Sequence, residues 1–396
     1  MISVMDRPYE RVQLFSGGGS RFGYYLGSYA ALVEHDLRPD IIVGTCGGSL
    51  SALLVQIAPE PHDLQQLAVS RELYRVIKAI RHVDATEANV KLKLRYSLNA
   101  IKRWRLSRDN TRHQQHQSKD NHERLVDELQ QLAMFRVDNE AQWLDELLRF
   151  LPSNEGSGDF INTAPNIAII ASRLQQTADA SSLTNNTPQL QELLFAPKRL
   201  LLPNNKDNLE STLAKNLSSP AHHVANGRIN QSVKIITEWN IATAVRASMA
   251  DMYYLPPIHD QNLGWCLGGV INLTPIELAC MLADSVFAET KAGYDSWLAA
   301  PAIQRVFGFD PNQRLAQVHS FSPPTIHRSQ NSSQLHWLPF ADNGQQLVGS
   351  VRKRFSIKQM TVALVHHDYD GFVKTMQAQW QYGYQRTANY IRQKKL

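Results

Sequence analysis

Residues Asp40–Ala58 read DIIVGTCGGSLSALLVQIA, and their interpretation decides the fold. A short β-branched run ends at Gly44, two more glycines follow at Gly47 and Gly48, and an apolar stretch begins at Ser49. The pattern predicts a strand over Asp40–Gly44, a tight turn, and a helix over Ser49–Ala58. The run is long and apolar enough to suggest a membrane span, but three glycines and several hydroxyl residues interrupt it. A strand feeding a core helix is expected instead, and no spanning segment. Cys46 sits at the bend. A G-x-nucleophile-x-G turn holds one side chain on a strained strand-to-helix corner, where flanking Cβ atoms would collide. The same cysteine also fits a buried structural role, because free cysteine is among the most buried residue types.

Upstream, Glu10–Phe15 reads as a strand and Tyr24–Glu34 as a helix, so the first sixty residues run βαβα. That order implies a parallel sheet with helices on its faces. Between the two elements lies SGGGSRFG, Ser16–Gly23. Glycines at a strand-to-helix turn expose backbone N–H groups at a helix start, where negative charge is favoured. They serve a phosphate, or the oxyanion of an acyl-transfer intermediate, or simply a tight packing turn. A dinucleotide fingerprint needs glycine where Phe22 stands, so nucleotide binding is not expected.

The whole chain of 396 residues is 43% hydrophobic with a net charge of +5, enough apolar content for a full core. Its three cysteines, Cys46, Cys266 and Cys280, make no disulfide framework and fit a reducing compartment. The N-terminus lacks the apolar core of a signal peptide, so a cytoplasmic location is expected. Asn166–Ala171 reads as a buried strand, Asn- and Pro-rich 175–230 as a surface segment or cap, and Val233–Thr237 as a return of buried character. A helix is expected through Ala242–Met252, a late strand over Val318–Phe321, and a closing helix over Asp370–Lys394. Near the end of the first 280 residues, GWCLGGVINLTPIELA (Gly264–Ala279) places Gly268 and Gly269 in a turn before a helix opened by Pro275.

Taken in order, SGGGSRFGYYLG, GTCGGSLSA, AVRASMADMYYLPPI and LGGVINLTPIELA resemble the patatin-like phospholipase family. The resemblance implies a three-layer α/β/α core with a mainly parallel sheet. It implies a domain over 1–300 holding a helical and polar insertion at 61–230, with 301–396 packed on the core as an extension. By resemblance, Gly17, Gly18, Gly19 and Arg21 match the oxyanion loop, with Phe22 in place of its last glycine. Gly44 and Gly48 match the nucleophile elbow, with Cys46 in place of its serine and Gly47 supplying the next N–H. Gly268 and Gly269 match the turn that carries the dyad aspartate, with Leu267 in its place.

Both chemical groups of the family's dyad are thus replaced. Cysteine needs a base less than serine does, and a helix N-terminus favours its thiolate by about 0.3–1 kcal/mol. Burial beside Leu267 opposes this and outweighs it if the thiol is dry. Release of a bound acyl group still calls for a base, and Asp251 and His259 are the candidates near the turn. The expected function is a lipid- or acyl-chain-binding protein with weak or absent hydrolase activity. A Cys46-dependent acyl hydrolase or acyltransferase and a protein–protein scaffold are the alternatives. No cofactor and no metal are expected, since the paired histidines His222–His223 and His366–His367 stand in no ligand frame.

One further stretch suggests a partner. KLKLRYSLNAIKRWRLSRDNTR, Lys91–Arg112, carries eight Lys/Arg against one Asp. Leu94, Leu98 and Ile101 recur at helical spacing beside Trp104, a pattern suited to an anionic membrane interface or to a core-packed helix with a basic outer side. No nucleic-acid reader motif accompanies it, so no nucleic acid is expected.

Overall fold

The computed structural model describes residues 7–17, 19–82, 102, 105, 120–151, 164–175, 190–201, 217–225, 227–296, 299–323, 333–347, 353–356, 361–364 and 368–396. Its first strand, β1 (Tyr9–Phe15), pairs in parallel with β2 (Ile41–Thr45). All five residues of β2 are buried, as expected of a parallel strand covered on both faces. The helix between them, α1 (Gly23–Glu34), and the helix after β2, α2 (Gly47–Ile57), give the βαβα start that the sequence predicts.

Eleven further strands follow: β3 (Ile80–His82), β4 (Phe135–Val137), β5 (Asn166–Leu174), β6 (Leu190–Phe195), β7 (Lys234–Ile236), β8 (Ile258–Asp260), β9 (Gly264–Cys266), β10 (Ala283–Glu289), β11 (Gln334–Leu338), β12 (Lys353–Ser356) and β13 (Thr361–Leu364). The central sheet runs β11-β10-β1-β2-β5-β6-β7, with β9 attached to β5 and β8 to β9. From β11 to β5 every pairing is parallel, and β6 turns antiparallel to β5. Helices flank this mostly parallel sheet, the α/β class that the sequence implied. The C-terminal ends of β1 and β2 open onto the two glycine turns, where open α/β sheets characteristically place their ligand crevices.

α1 is buried along ten of its twelve residues because it is sandwiched. The sheet lies on one side and the long helix Tyr369–Lys394 on the other. Glycines permit the crossing: a Cβ on Gly27 would lie 2.0 Å from the Trp380 carbonyl oxygen, and one on Gly383 would lie 1.9 Å from that of Tyr24. The same C-terminal helix buries Gln379, whose Oε1 accepts from the Gly23 N–H at 2.8 Å and whose Nε2 donates to the Ser20 carbonyl at 3.1 Å. The last helix therefore grips the glycine loop at the front of the fold.

Three expectations need correction. Within 175–230, read as surface, β6 is a fully buried strand of the central sheet; LQELLF is a short apolar run whose Gln and Glu are held by internal hydrogen bonds. Val318–Phe321 is not a strand, because Val318 and His319 lie in the last turn of the helix Pro311–His319 and the true late strand is β11. Val233–Thr237 is half-buried rather than buried, since β7 is the last strand of the sheet. The basic stretch 91–112 lies outside the described residues, apart from the helical, exposed Lys102 and Arg105; so do Gly18 and His366–His367. Among the described residues no helix is long and apolar enough to cross a membrane. None of their His, Cys, Asp and Glu side chains gather in threes to hold a metal ion.

Candidate active site

β2 ends at Thr45, and the chain reverses into α2 through Cys46 at φ 50° and ψ −124°. Positive φ at a residue with a side chain is strained and has to be held by its surroundings. Several contacts hold it. The Cys46 N–H donates to Ser248 Oγ at 2.9 Å, and Ser248 Oγ donates in turn to the Ile170 carbonyl of β5 at 2.6 Å. The Cys46 carbonyl accepts from both the Ser49 N–H at 3.0 Å and the Ser49 hydroxyl at 2.6 Å. Thr45 Oγ1 donates to the Leu273 carbonyl at 2.8 Å. Close approach explains the elbow glycines: a Cβ on Gly48 would sit 1.8 Å from the Phe15 carbonyl oxygen, and one on Gly44 would sit 2.8 Å from Ser49 Cα.

The glycine loop lies against this bend. A Cβ on Gly17 would stand 3.2 Å from Cys46 Sγ, and one on Gly47 would stand 2.7 Å from the Gly19 carbonyl oxygen. Gly47 is the first residue of α2, so its N–H has no acceptor within that helix. The third turn closes the site from the other side. A Cβ on Gly269 would meet the Cys46 nitrogen at 3.2 Å, and the Gly269 N–H donates to the Ser248 carbonyl at 2.9 Å. Gly17, Gly19, Cys46 and Gly47, named from sequence, thus line one hollow, while Gly268 packs against Asp251 and Gly269 against the Cys46 backbone. Arg21 lines the same cavity farther out, near Gly344.

The hollow is a cavity of about 600 Å³, walled largely by apolar side chains such as Phe22, Leu50, Ile77, Met252 and Phe372. Leu267 is not among its lining residues. It is fully buried, in the core cluster that also contains Cys46, and its N–H donates to the Ser172 carbonyl of β5 at 2.9 Å. Asp251 occupies the cavity instead. The helix Ile241–Met249 ends just before it, and a tight turn follows in which the Asp251 N–H reaches the Met249 carbonyl at 2.7 Å and Met252 takes φ 47°. That turn aims the carboxylate at the elbow. Asp251 Oδ1 accepts from the Val270 N–H at 3.4 Å, and a Cβ on Gly268, itself at φ 93°, would lie 2.1 Å from that oxygen. Gly268 leaves open the space that the Asp251 carboxylate fills. The carboxylate and the Cys46 thiol line the same cavity and influence each other's acidity.

Burial governs the electrostatics here. Cys46 is 6% exposed, and desolvation pushes its thiol well above the ordinary cysteine value, with the neighbouring Asp251 charge adding to the rise. The Gly269 N–H and Lys291 pull the other way without prevailing. The resting group is therefore a neutral thiol, as the dry-site argument requires. Desolvation also raises Asp251 from 3.8 to about 7, against the lowering effect of Cys46, the Val270 and Gly269 N–H groups and Arg246. A carboxylate with that acidity is half-ionised near neutral pH, the working range of a general base. His259, the other base considered, is exposed and packs edge-on against Trp265. The three cysteines are free, and burial lifts Cys266 and Cys280 to about 12.

Sequence reasoning did not single out Ser248, Gln379, Lys291 or Glu289. Lys291 Nζ donates to the Gly17 carbonyl at 2.8 Å and pairs with Glu289 at 2.7 Å. Each is an ordinary polar residue whose importance comes from long-range placement, so no local pattern marks it.

A strained Cys at a glycine elbow, a glycine loop beside it and a buried carboxylate share one apolar cavity at the end of an α/β sheet. A family model described as patatin-like phospholipase matches residues 14–280, that is 267 of the 396 residues, and the chain belongs to that family. A patatin-like phospholipase domain-containing protein of Aspergillus clavatus is 40% identical over 73 residues, 18% of this chain and 10% of the fungal protein. One from Pyricularia oryzae is 52% identical over 48 residues, 12% of this chain and 6% of that protein. The matches thus span about a tenth or less of these relatives' length. Among solved structures, VipD from Legionella pneumophila aligns with 98% of this chain and 67% of its own, at 12% identity and a TM-score of 0.37.

Proposed function

We propose that this chain is an acyl hydrolase or acyltransferase for lipid esters that works through Cys46 and Asp251, the aspartate having moved from position 267 to position 251. The observation that carries the reading is the buried Asp251 carboxylate, which lines the cavity beside Cys46 in the space that Gly268 leaves open and is raised to about 7. A neutral thiol at that elbow gains nucleophilicity only as its proton leaves, and an adjacent base removes the need for a free thiolate. The apolar wall of the cavity suits a fatty acyl chain.

Asp251 takes the Cys46 proton as the sulfur attacks the ester carbonyl, whose π electrons move onto oxygen. N–H groups of the glycine loop and of Gly47 receive that oxyanion. Its collapse breaks the C–O bond and leaves a thioester, and the leaving alkoxide takes the proton from Asp251. Water, or an acceptor alcohol for transfer, then attacks the thioester and gives its proton to Asp251. The departing thiolate recovers that proton, and the acyl product leaves.

Hydrolysis of p-nitrophenyl esters by the wild type, Cys46→Ala and Asp251→Asn tests this. Both substitutions are expected to abolish or sharply reduce turnover. Turnover that survives Cys46→Ala refutes the proposal. A wild type silent towards esters that still gains thermal stability from fatty acids or lysophospholipids would favour the second reading, an acyl-binding protein. That reading draws its support from the raised thiol and from the leucine at position 267. A scaffold would show neither response.

A further inference from the structure

We propose that Lys291 supplies the positive charge against which negative charge develops on the Cys46 sulfur and on the acyl oxygen, an inference that rests on the acyl-transfer reading of this site. Lys291 follows the end of β10 and lies eleven residues beyond the stretch matched by the family model, which ends at 280. Its side chain is 10% exposed and lines the cavity. The ammonium carries three N–H donors. One goes to the Gly17 carbonyl at 2.8 Å and one to Glu289 Oε1 at 2.7 Å. Gly17 is the loop residue that backs onto the sulfur, so the charge is tied to the wall that faces the reacting atom.

The anchoring is elaborate for a structural ion pair. Glu289 is 1% exposed, accepts from the Tyr24 hydroxyl at 2.6 Å and from the Tyr25 hydroxyl, and those two hydroxyls bond each other at 2.9 Å. The Lys291 N–H donates to His319 Nε2 at 3.2 Å. Asn312 clamps the following loop from both sides, accepting from the Tyr294 N–H at 2.7 Å and donating to the Tyr294 carbonyl at 3.1 Å. A buried ion pair is weak evidence for stability, because desolvation offsets much of its attraction. A network that fixes one cation at a site where anionic charge must form is accounted for by charge stabilisation. Lys291 also acts in the direction of lowering the Cys46 thiol.

Three variants decide it: Lys291→Met, Lys291→Arg, and Lys291→Met combined with Glu289→Gln, which avoids leaving a buried carboxylate without its cation. With p-nitrophenyl butyrate, an uncharged ester, Lys291→Met should lower kcat about 100-fold, the scale of a lost oxyanion donor, with KM within about twofold. Lys291→Arg should recover part of that loss, and the double variant none. Cys46 alkylation by iodoacetamide, followed by intact mass, should slow in Lys291→Met, since a charge that favours the thiolate is removed. Alkylation needs no turnover. A wild type inert to esters would therefore count against the hydrolase reading, and the alkylation ratio would still decide the charge on sulfur. An unchanged kcat and alkylation rate, a change in KM alone, or full activity in the double variant would each overturn the proposal.

Discussion

Replacing Asp251 by Asn keeps the shape of the carboxylate and removes its titration. If Asp251 is the base, its ionised form is the active one, so wild-type activity should rise with pH through a midpoint at about 7. General-base assistance is typically worth about 10²–10⁴-fold, and Asp251→Asn should lose that factor together with the inflection. Stability should move the other way. The folded protein holds the Asp251 proton more tightly than the unfolded chain does. That contribution is therefore complete below 3.8 and is lost as pH rises through about 7. A rise from 3.8 to about 7 corresponds to up to about 4 kcal/mol at 1.36 kcal/mol per unit. At pH 8 the Asn variant should be the more stable protein by some of that amount, and the gap should close as pH falls towards 4. Urea unfolding at pH 5 and pH 8, alongside a pH–rate profile on an activated ester, measures both effects. A wild-type rate that stays flat from pH 5.5 to 8.5, or an Asn variant as active as wild type, would refute the assignment.

Other outcomes follow from the same contacts. Cys46→Ser should keep measurable esterase activity, and Asp251→Asn should cost more in that background than in wild type, because a serine hydroxyl depends on its base more than a thiol does; equal costs in the two backgrounds would contradict a shared proton path. Leu267→Ala should cost about 2–5 kcal/mol of stability by opening a hole in the core, read by chemical denaturation, with no direct effect on the base. Gly48→Ala should yield no stable folded protein, since its methyl group would lie 1.8 Å from the Phe15 carbonyl oxygen. A soluble Gly48→Ala protein with wild-type melting would contradict the packing of the elbow.

The elbow and the glycine loop were legible because glycine spacing encodes close backbone approach, and such approach is local. Gly44 and Gly48 each stand where a methyl group would strike a neighbour within the βαβα unit. By resemblance position 267 read as substituted, and Asp251 stood out only alongside His259, as one of two candidate bases near the turn. Asp251 precedes it by sixteen residues, and the chain between them makes the β8–β9 hairpin before Gly268 returns beneath the carboxylate. No periodicity relates two positions separated by such an excursion. Lys291 and Gln379 were invisible for a similar reason: their partners, Gly17 and Gly23, lie hundreds of residues away. The strand β6 was hidden by composition, because its neighbours in sequence are polar while its own six residues are buried.

If Cys46 is the nucleophile, acyl groups pass through its sulfur. Incubating the protein with a long-chain p-nitrophenyl ester, quenching in acid and weighing the intact chain tests it directly. A mass increase of one acyl group that maps to Cys46, is absent in Cys46→Ala and builds up fastest above pH 7 is the predicted result. Ester turnover with no acyl adduct on Cys46 at any time point, or an adduct that persists in Cys46→Ala, would contradict it.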